Sequence, residues 1–225
     1  MLTDFPGDSV VPQFYKISGP FKRQTEKGPD HNKLKIGEWY DSAFDTLQNA
    51  QWNWTEKLDG TNVRVHWDGH RVSMAGRTDR AQLHGDLTGY IQDTFTEELF
   101  EQAFGSTPVT LFGEGVGPGI QKGGELYGDV KHFRLFEVKM DNVWRTRLTV
   151  VDVAAAFGVE PAELFMTGTV WEAIDVVKCG LLVDHGFGKF LSEGLVGVPV
   201  DGFLNYNGTR IAMKVKTCDL YEANK

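Results

Sequence analysis

Tight two-residue turns set between alternating apolar residues restrict this chain to sheets that fold back on themselves. Val63, Val65 and Trp67 alternate with Arg64 and His66, and Asp68-Gly69 then leads into Arg71-Val72-Ser73-Met74. An Asp-Gly or Asn-Gly pair accepts the positive φ of a hairpin turn, so the flanking strands run antiparallel. Asn207-Gly208 repeats that signal between residues 203–206 and 210–216. Residues 109–112 and 133–140 read as strands around a glycine-rich loop, and Asp141-Asn142 turns into a further strand over 144–148. Leu87, Ile91, Phe95 and Leu99 recur every four residues, which predicts one amphipathic helix reaching Phe104. Thr169 and Glu172 have capping-box spacing ahead of Val170, Ile174 and Val177, with Gly180 placed to end that helix. Residues 18–32, rich in charge, Gly and Pro, read as an exposed loop. The fold expected is α+β, mainly antiparallel sheets flanked by helices.

Composition narrows the function classes. With 225 residues and 41% hydrophobic content, the chain can bury a core without crosslinks. It has two cysteines, Cys179 and Cys218, and no Cys or His at zinc-ligand spacing. Residues 1–6 lack a basic region followed by an apolar one, and no stretch is long and apolar enough for a bilayer, so a cytoplasmic protein is expected. Lys+Arg of 23 against Asp+Glu of 31 gives a net charge of −8. Proteins that coat nucleic acid concentrate positive charge, so any contact with a strand must come from a local basic site. That favours an enzyme engaging one strand end over a binder with a long footprint.

The candidate chemistry lies in separated segments. In Thr55-Glu56-Lys57-Leu58-Asp59-Gly60-Thr61-Asn62, a lysine stands between an apolar strand and an Asp-Gly turn. Lysine is a poor nucleophile at its ordinary pKa of about 10.4, and burial or a nearby cation lowers that value. Leu111-Phe112-Gly113-Glu114-Gly115 places a carboxylate at a strand end between glycines, where it could take ribose hydroxyls or a divalent cation. Neither GxGxxG nor a GK[ST] phosphate loop occurs nearby, so no dinucleotide fold or Walker site is expected. Ser192-Glu193-Gly194-Leu195-Val196 supplies another carboxylate before a glycine, and Asp201-Gly202-Phe203-Leu204 competes with it for the same role. Met213-Lys214-Val215-Lys216 presents two ammonium groups from one face of a strand, suited to a polyphosphate. The six histidines form no metal or triad pattern, and His66, His84 and His132 read as structural or surface groups.

Each segment alone is common; their order is not. Lys57, Glu114, Glu193 and Lys214/Lys216, with Phe133-Arg134-Leu135-Phe136-Glu137-Val138 between, resemble the covalent nucleotidyltransferase superfamily of DNA ligases, RNA ligases and capping enzymes. Asn62 stands where DNA ligases and capping enzymes usually carry Arg, so Glu-Lys-Leu-Asp-Gly-Thr-Asn is more similar to ATP-dependent RNA ligases of the double-strand-sealing branch. Gly76-Arg77-Thr78-Asp79 and Gly119-Ile120-Gln121-Lys122 add a likeness to compact phage and bacterial RNA-ligase-like proteins.

The resemblance implies a single nucleotidyltransferase domain over 1–225, with nine residues after Lys216 and no room there for an OB-fold or helical domain. It implies ATP and Mg²⁺ or Mn²⁺ as cofactors and Lys57 as the residue that becomes lysyl-AMP. Glu193, Lys214 and Lys216 would assist catalysis, with Glu193 and Glu114 holding metal. Glu56, Asp59, Gly60, Asn62, Arg77, Glu114 and Phe136 would bind the nucleotide, Glu56 through the adenine amino group and Phe136 by stacking. The partners implied are RNA ends, in a nicked duplex or RNA/DNA hybrid, with a docking subunit as an option and no membrane. A minimal DNA nick ligase and a non-catalytic nucleotide-binding protein are the alternatives.

Overall fold

A computed structural model describes residues 11–79 and 81–221, so the opening segment 1–6 lies outside the described residues. The chain divides into two compact units. One comprises the described residues of Met1–Phe14, Thr61–Gly115 and Lys131–Pro161; the other those of Tyr15–Gly60, Val116–Val130 and Ala162–Lys225. Mainly antiparallel sheets with helices against them bear out the expected fold class. Among the described residues, no helix is long and apolar enough to cross a membrane.

The later unit is built on a four-stranded antiparallel sheet ordered Leu164–Gly168, Trp52–Glu56, Gly194–Pro199, Met213–Lys216. Alternation along these strands gives the sheet two faces of opposite character. Trp52, Trp54, Leu195, Met213 and Val215 share one core with Val170, Ala173, Ile174 and Val177 of the helix Val170–Cys179. That helix starts where expected: Thr169 caps the Glu172 amide, and the Glu172 side chain returns to the Thr169 amide. Gly180, at φ 89°, ends it. A side chain at Gly197 would lie 2.4 Å from the Trp54 ring, so only glycine lets the tryptophan cross the sheet there. The opposite parity carries Asn53, Thr55, Val196, Lys214 and Lys216.

The other unit has a sheet ordered Val72–Ala75, Thr61–Trp67, Val109–Val116, His132–Met140, Val143–Trp144, with Glu160–Pro161 added in parallel to His132–Met140. The Asp68-Gly69 hairpin forms as read, with Gly69 at φ 102°. Its core is aromatic, with Trp67 stacked on Phe100 at 5.8 Å and Phe100 tilted against Phe157 at 4.7 Å.

Four local expectations need correction. The helix predicted over 87–104 is two, Gly85–Thr94 and Glu97–Phe104, because the Thr96 hydroxyl accepts the Leu99 amide and starts a new helix. The strand expected over 144–148 is Val143–Trp144, after which Thr146 caps the helix Arg147–Ala156. Residues 18–32 contain the strand Phe21–Arg23, paired with Leu34–Trp39 because Phe21 is buried against Trp39 and Trp171. Asn207-Gly208 does turn the chain, but the ladder there is the single bridge Leu204–Arg210; Met213–Lys216 pairs instead with Gly194–Pro199.

Candidate active site

Backbone hydrogen bonds fix the position of Lys57. Its amide donates to Gly194 O at 2.8 Å, prolonging the ladder past the end of Trp52–Glu56, and the Glu56 amide donates to Glu163 O at 2.9 Å. Gly194 lies at φ 142°, and a Cβ there would come within 2.0 Å of Val215 O. This close approach, possible for glycine alone, brings Glu193 to the end of Met213–Lys216. The Thr217 amide donates to Glu193 O, and the Thr217 hydroxyl to Ser192 O at 2.7 Å.

Three charged side chains from distant segments meet there. Lys57 Nζ donates to Glu193 Oε2, and Lys216 Nζ lies 2.9 Å from Glu193 Oε1. Burial opposes the charged form of Glu193, but hydrogen bonds and charge from Lys57 and Lys216 outweigh it and hold the carboxyl below the usual range. The hydrogen bond to Glu193 pushes Lys216 upward. Burial, then the Glu193 charge, push Asp59 upward, with both lysines partly offsetting them. Lys57 thus has a carboxylate as its ion partner, with the Lys216 ammonium on the other oxygen of the same carboxylate. Lys214 shares the parity of Lys216, opposite Val196. Asp201 is exposed, so it is Glu193 rather than Asp201 that meets Lys57.

Around this trio lie residues that sequence reasoning did not single out. Tyr127 is buried, its hydroxyl accepting the Asp59 amide at 3.1 Å, and Gln121 donates to Gly60 O at 3.1 Å. Burial above all, with the Glu56, Asp59 and Glu193 charges, raises the Tyr127 hydroxyl and keeps it protonated. The His185 ring stacks on Tyr127 with centroids 5.1 Å apart, and its Nε2 lies 3.0 Å from Glu56 Oε2. Glu56, Glu163 and His185 have ligand atoms within 4.8 Å of one another. One signal was available: Glu56 falls on the strand parity of Trp52 and Trp54, where an apolar residue is expected.

The remaining candidates belong to the other unit. Asn62 and Glu114 are direct cross-strand partners. Asn62 Oδ1 is buried and lacks a hydrogen-bond partner among the described residues. Arg77 is exposed in the turn after Val72–Ala75. Phe136 meets Phe14 edge to face at 5.1 Å. His66 bonds Thr110 at 2.9 Å, in keeping with a structural role.

Residues 50–216 match the family model described as RNA ligase. Solved structures share the fold. A Naegleria gruberi RNA ligase mutant with AMP and Mn is 17% identical, with a TM-score of 0.59, covering 76% of this chain and 51% of that one. A mutant of the same ligase with ATP and Mn gives 15% identity and a TM-score of 0.63 over 96% of this chain and 68% of that one. The ligase with PPi gives 16% identity and 0.62, over 95% and 61%. The chain thus spans about half the length of the first of these relatives. A search of curated proteins finds no match. With the family model covering well over half of its residues, the chain belongs to the RNA ligase family.

Proposed function

We propose that this chain is an ATP-dependent RNA ligase that joins 5′-phosphate and 3′-hydroxyl ends through a covalent lysyl-AMP on Lys57. The observation that carries the reading is the meeting of Lys57, Glu193 and Lys216, three segments far apart in sequence, around one partly buried carboxylate. Residues 1–225 are read as one nucleotidyltransferase domain. Related solved structures hold ATP, AMP and Mn, which supports the same nucleotide and a divalent cation here.

In the first step Lys57 Nζ, having given up a proton to solvent, forms a bond to the α-phosphorus of ATP as the bond to pyrophosphate breaks. Glu193 orients the amine beforehand, and Lys214 and Lys216 offset charge on the phosphates. In the second step the phosphorus–nitrogen bond breaks, AMP passes to a 5′-phosphate, and the Lys57 amine is restored. In the third a 3′-hydroxyl displaces AMP, which leaves a phosphodiester. Glu56 reads the purine amino group; Asp59, Gly60, Asn62, Arg77 and Phe136 complete the nucleotide contacts, and Glu114 positions the ribose.

Glu193 and Glu114 are the candidate ligands for Mg²⁺ or Mn²⁺, and oxygen donors of this kind suit a hard cation. Glu193 fits that role, because converting Lys57 to a phosphoramide removes one of the two ammonium groups that occupy its oxygens. The bound cation would supply further charge neutralisation on the phosphates. RNA ends in a nicked duplex or hybrid are the proposed substrates, with the cytoplasm as the proposed location and a docking partner as an accessory. Incubation with ATP labelled at the α-phosphate, then denaturing electrophoresis, should label the wild-type chain and leave Lys57→Ala blank. Label on Lys57→Ala would overturn the nucleophile assignment. Sealing that required DNA at the 3′-hydroxyl side would move the reading to a DNA nick ligase.

A further inference from the structure

Glu56 is buried without being satisfied. Its side chain is 1% exposed, and neither carboxylate oxygen makes a hydrogen bond among the described residues. Burying a carboxylate in this way is costly unless something else completes its contacts. His185 lies beside it, with Nε2 3.0 Å from Oε2 but off the line of a well-formed hydrogen bond. Oε1 is left as a buried acceptor.

The placement of His185 is built rather than incidental. Its ring lies on Tyr127 with an interplanar angle of 25° and packs against Phe190 at 5.7 Å. Tyr127 is itself tied to the Asp59 amide. The turn that carries His185 joins Leu182–Asp184 to Lys189–Leu191, and Asp184 Oδ1 shapes it by accepting the Gly186 and Gly188 amides at 2.9 and 3.3 Å. Those glycines take φ of 88° and 114°. An aromatic shelf and a capped turn therefore hold one imidazole nitrogen against one oxygen of Glu56.

We propose that His185 is a positioning residue that sets base selectivity: it engages Oε2 of Glu56 and leaves Oε1 as an acceptor for the exocyclic amine of adenine. The inference rests on the proposed function, in which Glu56 faces the purine. An ionised carboxylate only accepts hydrogen bonds. Adenine offers a donor amine at the position where guanine offers a carbonyl, so a fixed acceptor favours the first and repels the second. Without His185 the carboxylate can rotate, and the discrimination weakens. A site that hydrogen-bonds a substrate group rejects analogues lacking it far better than an apolar pocket does.

The test is labelling of the full chain with ATP or GTP, both carrying label at the α-phosphate, under single-turnover conditions. His185→Ala should raise the KM for ATP about tenfold and lower the preference for ATP over GTP about tenfold, while the rate at saturation changes less than about threefold. His185→Gln keeps an N–H donor and should recover most of the preference. Glu56→Gln offers an amide that can donate to the guanine carbonyl, so its labelling by GTP should rise relative to ATP. Circular dichroism and thermal melts establish that each variant is folded. A folded His185→Ala with wild-type KM and preference overturns the inference while leaving lysyl-AMP formation intact. Stoichiometric binding of Zn²⁺ by the wild type, lost in His185→Ala and Glu163→Ala, also overturns it by assigning the cluster to a cation. No label on the wild type from either nucleotide defeats the proposed function itself.

Discussion

Arg64 and Glu56 are both buried charged side chains, one in each compact unit, and the fold treats them in opposite ways. Arg64 is 0% exposed and engaged through every side-chain nitrogen: Nε donates to Gly76 O at 2.7 Å, Nη1 to Val11 O at 2.7 Å and Nη2 to Asp79 Oδ1 at 2.8 Å. Glu56 is 3% exposed, and neither of its carboxylate oxygens makes a hydrogen bond among the described residues. A planar guanidinium spreads its donors over several acceptors, so a single Arg can close a loop on a strand. Here it fastens the turn that bears Arg77. A carboxylate with unused acceptor sites adds nothing comparable to stability, so its retention makes physical sense where a ligand completes it. Every side-chain nitrogen of Arg64 finds an acceptor, whereas neither oxygen of Glu56 finds a donor among the described residues.

Arg64→Met should show the largest effect. The apolar chain keeps much of the volume but leaves two buried carbonyls without donors, at roughly 1–3 kcal/mol for each such group. Urea unfolding should report a loss of about 2–6 kcal/mol, with the slope of the transition unchanged. An unaltered midpoint would mean that satisfying the guanidinium contributes nothing to the fold.

The pH dependence of the Lys57–Glu193–Lys216 trio should come next. The folded carboxyl of Glu193 titrates below its unfolded value, so its stabilisation is present above that value and fades as pH falls through the folded one. Asp59 has the opposite sign: its folded carboxyl titrates above the unfolded value, so its ionisation as pH rises works against the native state. Glu193→Gln removes the first effect and keeps much of the shape. The stability difference between wild type and Glu193→Gln should therefore shrink as pH drops from about 6 to about 3. A difference that grew on acidification would contradict the ion pairing. Glu56→Met, by contrast, should unfold within about 1 kcal/mol of wild type or later, because removing an unsatisfied buried charge costs little. Its labelling by ATP should still fall. A large loss of stability would class Glu56 with Arg64.

What was legible in the sequence follows the range of the interactions. The capping box at Thr169 and Glu172 and the Asp68-Gly69 hairpin are contacts between near neighbours, and both formed as read. The order of Lys57, Glu193 and Lys216 was legible as a pattern, but their meeting on one carboxylate depends on the close approach of Gly194 to Val215. The break between the helices at Thr96 was also written locally, as Thr-Glu-Glu, and a regular four-residue spacing of apolar residues concealed it. His185 could not be found in that way. Glu56, Glu163 and His185 come from a strand end, a loop and a hairpin turn, and no spacing along the chain anticipates their approach. Arg64 was equally hidden, since a charged residue in an alternating strand reads as solvent-facing until both faces prove to be covered.

Asp79→Ala should have the smallest effect, and it tests which part of the Arg64 cluster matters. Asp79 is the formal ion partner of Arg64, and the hydrogen bond from Arg64 leads the causes that hold its carboxyl below the usual range. Yet its side chain is 56% exposed, so water and salt screen the pair, whereas the Gly76 and Val11 carbonyls are met inside the fold. If backbone satisfaction is what makes Arg64 structural, Asp79→Ala should unfold at the wild-type midpoint. Arg64→Met should then lose the same stability at low and at high salt. If Asp79→Ala instead matched Arg64→Met, and the loss faded with added salt, the cluster would be an ordinary ion pair. The contrast with Glu56 would then lie in exposure rather than in the completeness of hydrogen bonding.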